Sequence, residues 1–557
     1  MLRSHPRDWL VAALAGIVYS LTFAPGPLPQ WLLPAVQLVV LAWLARTTFS
    51  SPNAQHAAWR GWFFGLGTFS VGLYWLTISM SRYGGMPWVL AIAALLLLSA
   101  YLALFPALAL WLTRRLSTPP STLSFMLLWA SAWTLTEWLR GTLFTGFPWL
   151  NMSYGQIDSW LSGWSTVAGS YGVVWATAFV AAALMVTFNV HTSRISGTSL
   201  TSETSPSTSN TTSTRLIKQA PLLLAFAVII MGALLGSIPF SKPFGDPIRV
   251  RLIQGNIDQG EKFTPIQWRS SVQRYLDLAQ HKQPNQTLTP QLIMMPETMM
   301  VRFPQEIEPS VWQSLITVAQ RDHATILLGT PLFDSQTRQY TNSVIALTGH
   351  ETPASVMSSQ VARYDKQHLV PFGEFVPVGF RWFVDLMHIP LGNFASGVSP
   401  QQPFEVGQQR IAANICYEDI FGEELLAPIR GANSSQHGAT ILANFSNLGW
   451  FGDTWALRQH WQMARLRAIE TSRPIVRATN TGLTGAIDDK GRTVAFLRPM
   501  QGAYLDVSVQ GHMGLTPYTQ WGNQPLLIWV GLIVLVCGFK YYRLNSKQHR
   551  QQHDHTT

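Results

Sequence analysis

The sequence predicts two architectures in one chain: a helical membrane domain of about eight transmembrane helices, and an α/β domain set between the last two of them. Three observations carry this. Charged residues make up only 12% of the 557 positions, against roughly a quarter in ordinary soluble proteins. Apolar stretches of about bilayer length fill the first 240 residues and recur near the C-terminus. Between residues 245 and 510 acidic residues return and the apolar runs shorten to strand length.

The apolar stretches run near 9–24, 28–45, 59–80, 87–112, 122–140, 164–188, 220–238 and 525–542. Pro25, Gly26, Pro27 and Pro29 separate the first two, as in a hairpin. Arg3 and Arg7 precede the first, but no small-x-small cleavage site follows it, so it is expected to stay as a span. Thirteen basic residues, from Arg3 and Arg7 to Arg543, Lys547 and Arg550, fall on one side of this topology, and only Arg82 and Arg140 on the other. Positive charge marks the cytoplasmic side. Both termini are therefore expected in the cytoplasm and 245–510 outside it, which in a two-membrane bacterium is the periplasm. The expected organisation is a membrane domain over 1–190, a Ser/Thr-rich cytoplasmic loop over 191–219, a seventh span over 220–240, the outer domain over 245–510, an eighth span over 525–542 and a tail over 543–557.

The net charge of +10 does not point to nucleic acid, because the basic residues sit at span ends and form no patch. The two cysteines, Cys416 and Cys537, give no disulfide framework, since Cys537 lies inside the last apolar stretch. In the outer domain, candidate strands at 248–256, 292–295, 324–329, 342–347, 410–416 and 439–444 alternate with helix-like segments at 265–280, 310–322 and 458–472. Such alternation indicates α/β.

Three positions there place a reactive group where propensity would not. Cys416 ends an apolar run in IAANICYEDIFG, and a thiol at a strand end followed by a polar turn suits a nucleophile. A helix starting after it would favour the thiolate and aim the Tyr417 N–H at an oxyanion, while Glu418 and Asp419 would raise the thiol pKa. Glu297 follows a strand in LIMMPETMM, and a carboxyl beside apolar surface is a common way to build a base for neutral pH. Lys366, in the loop ARYDKQHLVPFGEFVP, is a cation that would favour a nearby thiolate and donate to an oxyanion.

Together these residues carry a resemblance. MPE (295–297), KQHLVPFGE (366–374), CYE (416–418), SNLGWFG (446–452) and QHWQMARLRAIE (459–470) occur in this order, with TGFPWL at 145–150. The set is similar to the nitrilase, or carbon–nitrogen hydrolase, superfamily, and within it most resembles the apolipoprotein N-acyltransferases. Met295 stands where that family has Trp, and Leu448 where an Asp is frequent. The resemblance implies an α-β-β-α sandwich for the outer domain. It implies Cys416 as nucleophile, Glu297 as proton acceptor and Lys366 as oxyanion stabiliser, with Glu374, Tyr417 and Glu418 in support and Phe263 beside the acyl path. It implies a phospholipid acyl donor and a diacylglyceryl apolipoprotein acceptor at a bacterial inner membrane, with no cofactor and no metal. A membrane-anchored amidase acting on a small amide shares the same three residues. A binding scaffold or transporter fits the spans, but Glu137 is the one plainly intramembrane carboxylate.

Overall fold

The computed structural model describes all residues except 1–5, 118–121, 196–210, 261, 263, 265–266, 282–288, 378, 380–393, 432–437 and 555–557. Phe263 and most of the Ser/Thr-rich loop therefore lie outside the described residues. The chain forms two compact units. One comprises Met1–Gly72, Leu96–Ile238 and Asn523–Thr557; the other comprises Leu73–Leu95 and Pro239–Gly522.

In the first unit the expected apolar stretches are helical, among them Pro6–Ser20, Leu33–Phe49, Ala54–Gly72, Thr122–Thr142 and Ser165–Ile195. Across the described residues, four helices are long and apolar enough to cross a membrane: Trp88–Leu116, Trp160–Phe188, Gln219–Ser237 and Gln524–Ser546. A fifth is added if Ala54–Gly72 and Leu76–Tyr83 are one broken span. The 17 residues of Leu33–Phe49 reach only about 25 Å at 1.5 Å per residue. Close helix contact comes from absent side chains: a Cβ on Gly16 would lie 1.9 Å from the Phe64 carbonyl oxygen, and one on Gly67 2.1 Å from that of Ala13. Glu137 is paired with Arg140 at 2.6 Å and accepts from Asn151 at 3.0 Å. Arg140 also donates to the carbonyls of Phe147 and Trp149, so the TGFPWL segment is wrapped around one guanidinium.

The second unit is a sandwich. One six-stranded sheet runs in the order Ala503–Val509, Ile248–Gln254, Leu292–Met294, Thr325–Asp334, Gln339–Leu347, Arg363–Asp365. The other runs Thr493–Phe496, Gly485–Ile487, Ile475–Thr479, Ile441–Ser446, Gln409–Ile415, Phe404–Val406. Side chains alternate faces along a strand, and here both faces are apolar. Ile248, Val250 and Leu252 of the first sheet share a buried layer with Ile411, Ala413, Ile415, Ala443 and Phe445 of the second. On the far face of the first sheet, Ile253, Ile293 and Ile326 pack against Trp268, Val272, Leu315 and Ala319 of helices Gln267–Gln280 and Pro309–Asp322. On the far face of the second, Ala412, Leu442 and Ile475 meet Leu457, Trp461 and Ala468 of helix Trp455–Thr471. The layers are thus α-β-β-α, as the resemblance implied.

Candidate active site

Cys416 sits one residue past strand Gln409–Ile415, in the left-handed region at φ 52°. An L-residue there costs about 1–2 kcal/mol, so surrounding bonds must hold it. Its carbonyl faces His460 Nε2 at 3.2 Å and Asn444 Nδ2 at 3.5 Å. Arg477 donates to His460 Nδ1 at 2.7 Å. Nδ1 therefore carries no hydrogen, and Nε2–H is the donor to Cys416. Burial, and then Arg477, push the His460 pKa well below its ordinary value, so the ring stays neutral and keeps this tautomer. Arg477 also pairs with Asp419, and both side chains are almost fully buried. Arg477→Met would leave the Asp419 carboxylate buried without that partner. It is expected to lower unfolding free energy by about 3–5 kcal/mol, read from denaturant unfolding in detergent.

The helix expected after Cys416 is replaced by two 3₁₀ turns, Cys416–Ile420 and Gly422–Leu425, separated by Phe421 at φ −103° and ψ 90°. Neither is long enough to supply a helix dipole at the sulfur. Glu418 instead ties the turn together. Its Oε2 accepts from the Ile415 N–H at 2.5 Å, and its Oε1 from the N–H groups of Gln367 at 2.6 Å and His368 at 3.1 Å. The Tyr364 hydroxyl donates to it at 3.0 Å. One carboxylate thus joins the Cys416 turn to the loop that carries Lys366. Burial pushes the Glu418 pKa up to about 7, against the pull of these N–H groups and of Lys366. Tyr417 is buried, edge-on to His368 and Phe421 with ring centroids at 5.6 and 5.2 Å.

Glu297 follows strand Leu292–Met294 on a turn rather than opening a helix. The neighbouring strand passes so close that a Cβ on Gly329 would lie 2.6 Å from the Glu297 Cα, which fixes glycine there. Glu297 Oε1 accepts from Asn342 Nδ2 at 2.7 Å and meets Lys366 Nζ at 3.5 Å, while Oε2 accepts from the Asn447 N–H at 2.9 Å. Lys366, 1% exposed, follows strand Arg363–Asp365 and pairs with Glu374 at 2.9 Å. Asn342 Nδ2 also donates to Glu374 at 2.8 Å and so bridges the two carboxylates. Burial opposes the charge on Lys366, but Glu374, Glu297 and Cys416 outweigh it, and its pKa is driven above the ordinary lysine range.

Two buried carboxylates against one fixed lysine leave negative charge beside the sulfur. Burial, then Glu297, push the Cys416 thiol pKa far up, and Lys366 offsets them only in part. Lys366 does favour the thiolate, as expected, but burial and the carboxylates outweigh it, so the balance favours the thiol. Carboxylates that raise the thiol pKa are Glu297 and Glu374, which follow strands or loops elsewhere in the chain. Asp419 is held by Arg477, and Glu418 by backbone N–H groups.

Sequence reasoning assigned no role to Asn342, Asn447, His460 or Arg477. Asn342 and Arg477 carried a usable signal, since each is a polar side chain inside an apolar strand. Asn447 and His460 lie within motifs that were recognised as pattern only. Trp149 is buried, whereas Trp450 is partly exposed with its ring edge-on to Tyr83 at 5.5 Å.

Residues 15–183 match the family model described as apolipoprotein N-acyltransferase N-terminal domain, and 249–517 match that for carbon-nitrogen hydrolase. The chain is 44% identical to the apolipoprotein N-acyltransferase of Bordetella bronchiseptica over 546 residues, covering 95% of this chain and 96% of that one. It is 40% identical to that of Ralstonia nicotianae over 94% of this chain and 92% of the relative. It is 32% identical to that of Neisseria meningitidis over 98% of each. Kinship of this extent through both units makes the chain a member of the apolipoprotein N-acyltransferase family.

Proposed function

We propose that the protein moves an acyl chain from a phospholipid, through a thioester on Cys416, to the α-amino group of an N-terminal S-diacylglyceryl-cysteine. Likeness across both units carries this reading, because a soluble amidase would need only the second. The proposed chemistry follows from the resting thiol. Glu297 takes the Cys416 proton as sulfur attacks the ester carbonyl. Lys366 faces the oxyanion, a contribution of about 3–4 kcal/mol for one good donor. The intermediate collapses, the glycerol oxygen leaves with the proton from Glu297, and the thioester remains. The amine then attacks, Glu297 takes a proton from nitrogen, and sulfur leaves with it. Asn342 and Glu374 hold Glu297 and Lys366 in register, and Glu418 keeps the nucleophile turn against the lysine loop. The apolar helices anchor the enzyme beside both lipid substrates. By the positive-inside argument the second unit works on the periplasmic face of the inner membrane.

Incubation with phospholipid vesicles is expected to add the mass of one fatty acid less water to Cys416, seen by intact and peptide mass spectrometry. Cys416→Ser should give no thioester. Wild-type protein that forms no thioester but turns over a small amide would replace this reading with an amidase.

A further inference from the structure

A second lysine contacts the residue that follows Glu297 and has no part in the chemistry above. Lys262 is 1% exposed. Its Nζ lies 3.0 Å from Thr298 Oγ1, on the residue next to Glu297 and itself left-handed at φ 49°. Asn447 reaches the same hydroxyl through Nδ2 at 3.3 Å while its backbone N–H holds Glu297. Among the described residues no carboxylate forms an ion pair with Lys262. An ammonium has three protons to donate, and a buried one with a single neutral acceptor is costly. The geometry therefore favours the neutral amine. Burial lowers the Lys262 pKa to about 7, with Glu297 pulling the other way.

Glu297 is the carboxylate whose charge Lys262 feels, and beyond it lie Glu374, Lys366 and Cys416. Among the described residues of its own loop the nearest acid is Asp258, whose carbonyl accepts the Lys262 N–H at 3.0 Å and whose carboxylate is half-exposed and faces Arg82 at 3.7 Å.

The acceptor poses a proton problem that one base does not solve. An α-amino group has a pKa of about 8, so at pH 7 it arrives mostly as ammonium, without a lone pair. Forming the amide removes two protons from nitrogen. Glu297 carries the second, lost after attack, to the leaving sulfur. We propose that Lys262 is a second base, taking from the incoming acceptor the proton its ammonium must lose before it attacks the thioester. The step balances as R–NH₃⁺ plus Lys262–NH₂ giving R–NH₂ plus Lys262–NH₃⁺, and Lys262 returns the proton to solvent between turnovers. The new ammonium faces the Glu297 carboxylate, which offsets its cost.

This inference rests on the acyl-transfer reading, and splitting the two half-reactions separates them. Wild type, Lys262→Met and Lys262→Arg are each incubated with phospholipid micelles, and then with a synthetic peptide bearing an N-terminal S-diacylglyceryl-cysteine. Both variants are expected to form the thioester as wild type does, which also reports that they fold. Transfer to the peptide at pH 7 should slow by up to about 10-fold, since about a tenth of the acceptor is already free amine at that pH. The deficit should close as pH rises past the α-amino pKa of about 8. Arginine stays protonated and cannot take up a proton, so it should fail as methionine does. Wild-type transfer by Lys262→Arg, a deficit equal at every pH, or equal loss of both half-reactions overturns the inference. Absence of a thioester in wild type overturns the acyl-transfer reading instead.

Discussion

Glu297→Gln is expected to slow thioester formation by about 10²–10⁴-fold. At rest the Cys416 proton has no other carboxylate as well placed, because Glu374 is committed to Lys366, Asn342 and the Val370 N–H. The amide is also a poor fit. Both Glu297 oxygens accept, one from Asn342 and one from the Asn447 N–H, so a glutamine NH₂ must face a donor on one side. An unsatisfied buried donor costs about 1–3 kcal/mol. The sign for the thiol is opposite to the sign for the rate. Glu297 raises the Cys416 pKa and Lys366 lowers it; removing only the carboxylate leaves the lysine to act, so the thiol becomes more acidic. The pH midpoint of iodoacetamide alkylation should therefore move down in Glu297→Gln while acyl transfer is lost. A midpoint that stays put or rises would mean that another group sets the charge around the sulfur.

Lys366→Met is expected to act on fold and chemistry together. The side chain is 1% exposed and stands 2.9 Å from Glu374 and 3.5 Å from Glu297. Without it two buried carboxylates share one neutral asparagine. Removing one partner of a buried ion pair costs about 3–5 kcal/mol, and losing an oxyanion donor costs about 10²–10³ in rate. The pH dependence has a definite sign. The folded-state pKa of Lys366 is raised, so its stabilisation is fully present below the ordinary lysine value of about 10.4 and is lost only as pH climbs through the folded value. The gap in denaturant stability between Lys366→Met and wild type should then be constant from neutrality to about pH 10. Adding Glu374→Gln should recover part of that stability and none of the thioester. Recovery of both would assign Lys366 to structure alone.

Much of this was legible from local signals. Cys416, Glu297 and Lys366 each follow a strand, and a charged or nucleophilic residue at the end of an apolar run is visible within a short window. The apolar stretches were equally visible, but length and hydropathy together separate them. Leu33–Phe49 is too short, and Ala54–Gly72 bridges a membrane only if joined to Leu76–Tyr83. The partners of the reactive groups were not legible, because they come from far along the chain: Asn447 lies 150 residues from Glu297, and Arg477 58 from Asp419. The helix expected after Cys416 failed for a local reason no propensity records. Glu418 spends its carboxylate on the Ile415 N–H and on the Lys366 loop, and that geometry needs a tight turn. The strands Gly485–Ile487 and Thr493–Phe496 were missed because they are short; the buried Arg477 likewise interrupts the apolar run Ile475–Thr479.

The proposed reacting groups are divided between the two sheets. Glu297 and Lys366 follow strands of one; Cys416 and Asn447 follow strands of the other. Their separation is thus a measure of the apolar layer in between, where Ala413, Ala443 and Ala478 of one sheet make room for larger side chains such as Leu252, Met294 and Leu327 of the other. The sandwich works as a caliper. Its jaws are the strand ends and its spacer is the shared apolar layer, so on the proposed chemistry the volume of residues that never approach the substrate sets how far a proton must travel from sulfur to carboxylate. In such a molecule core volume is a kinetic variable as much as a thermodynamic one.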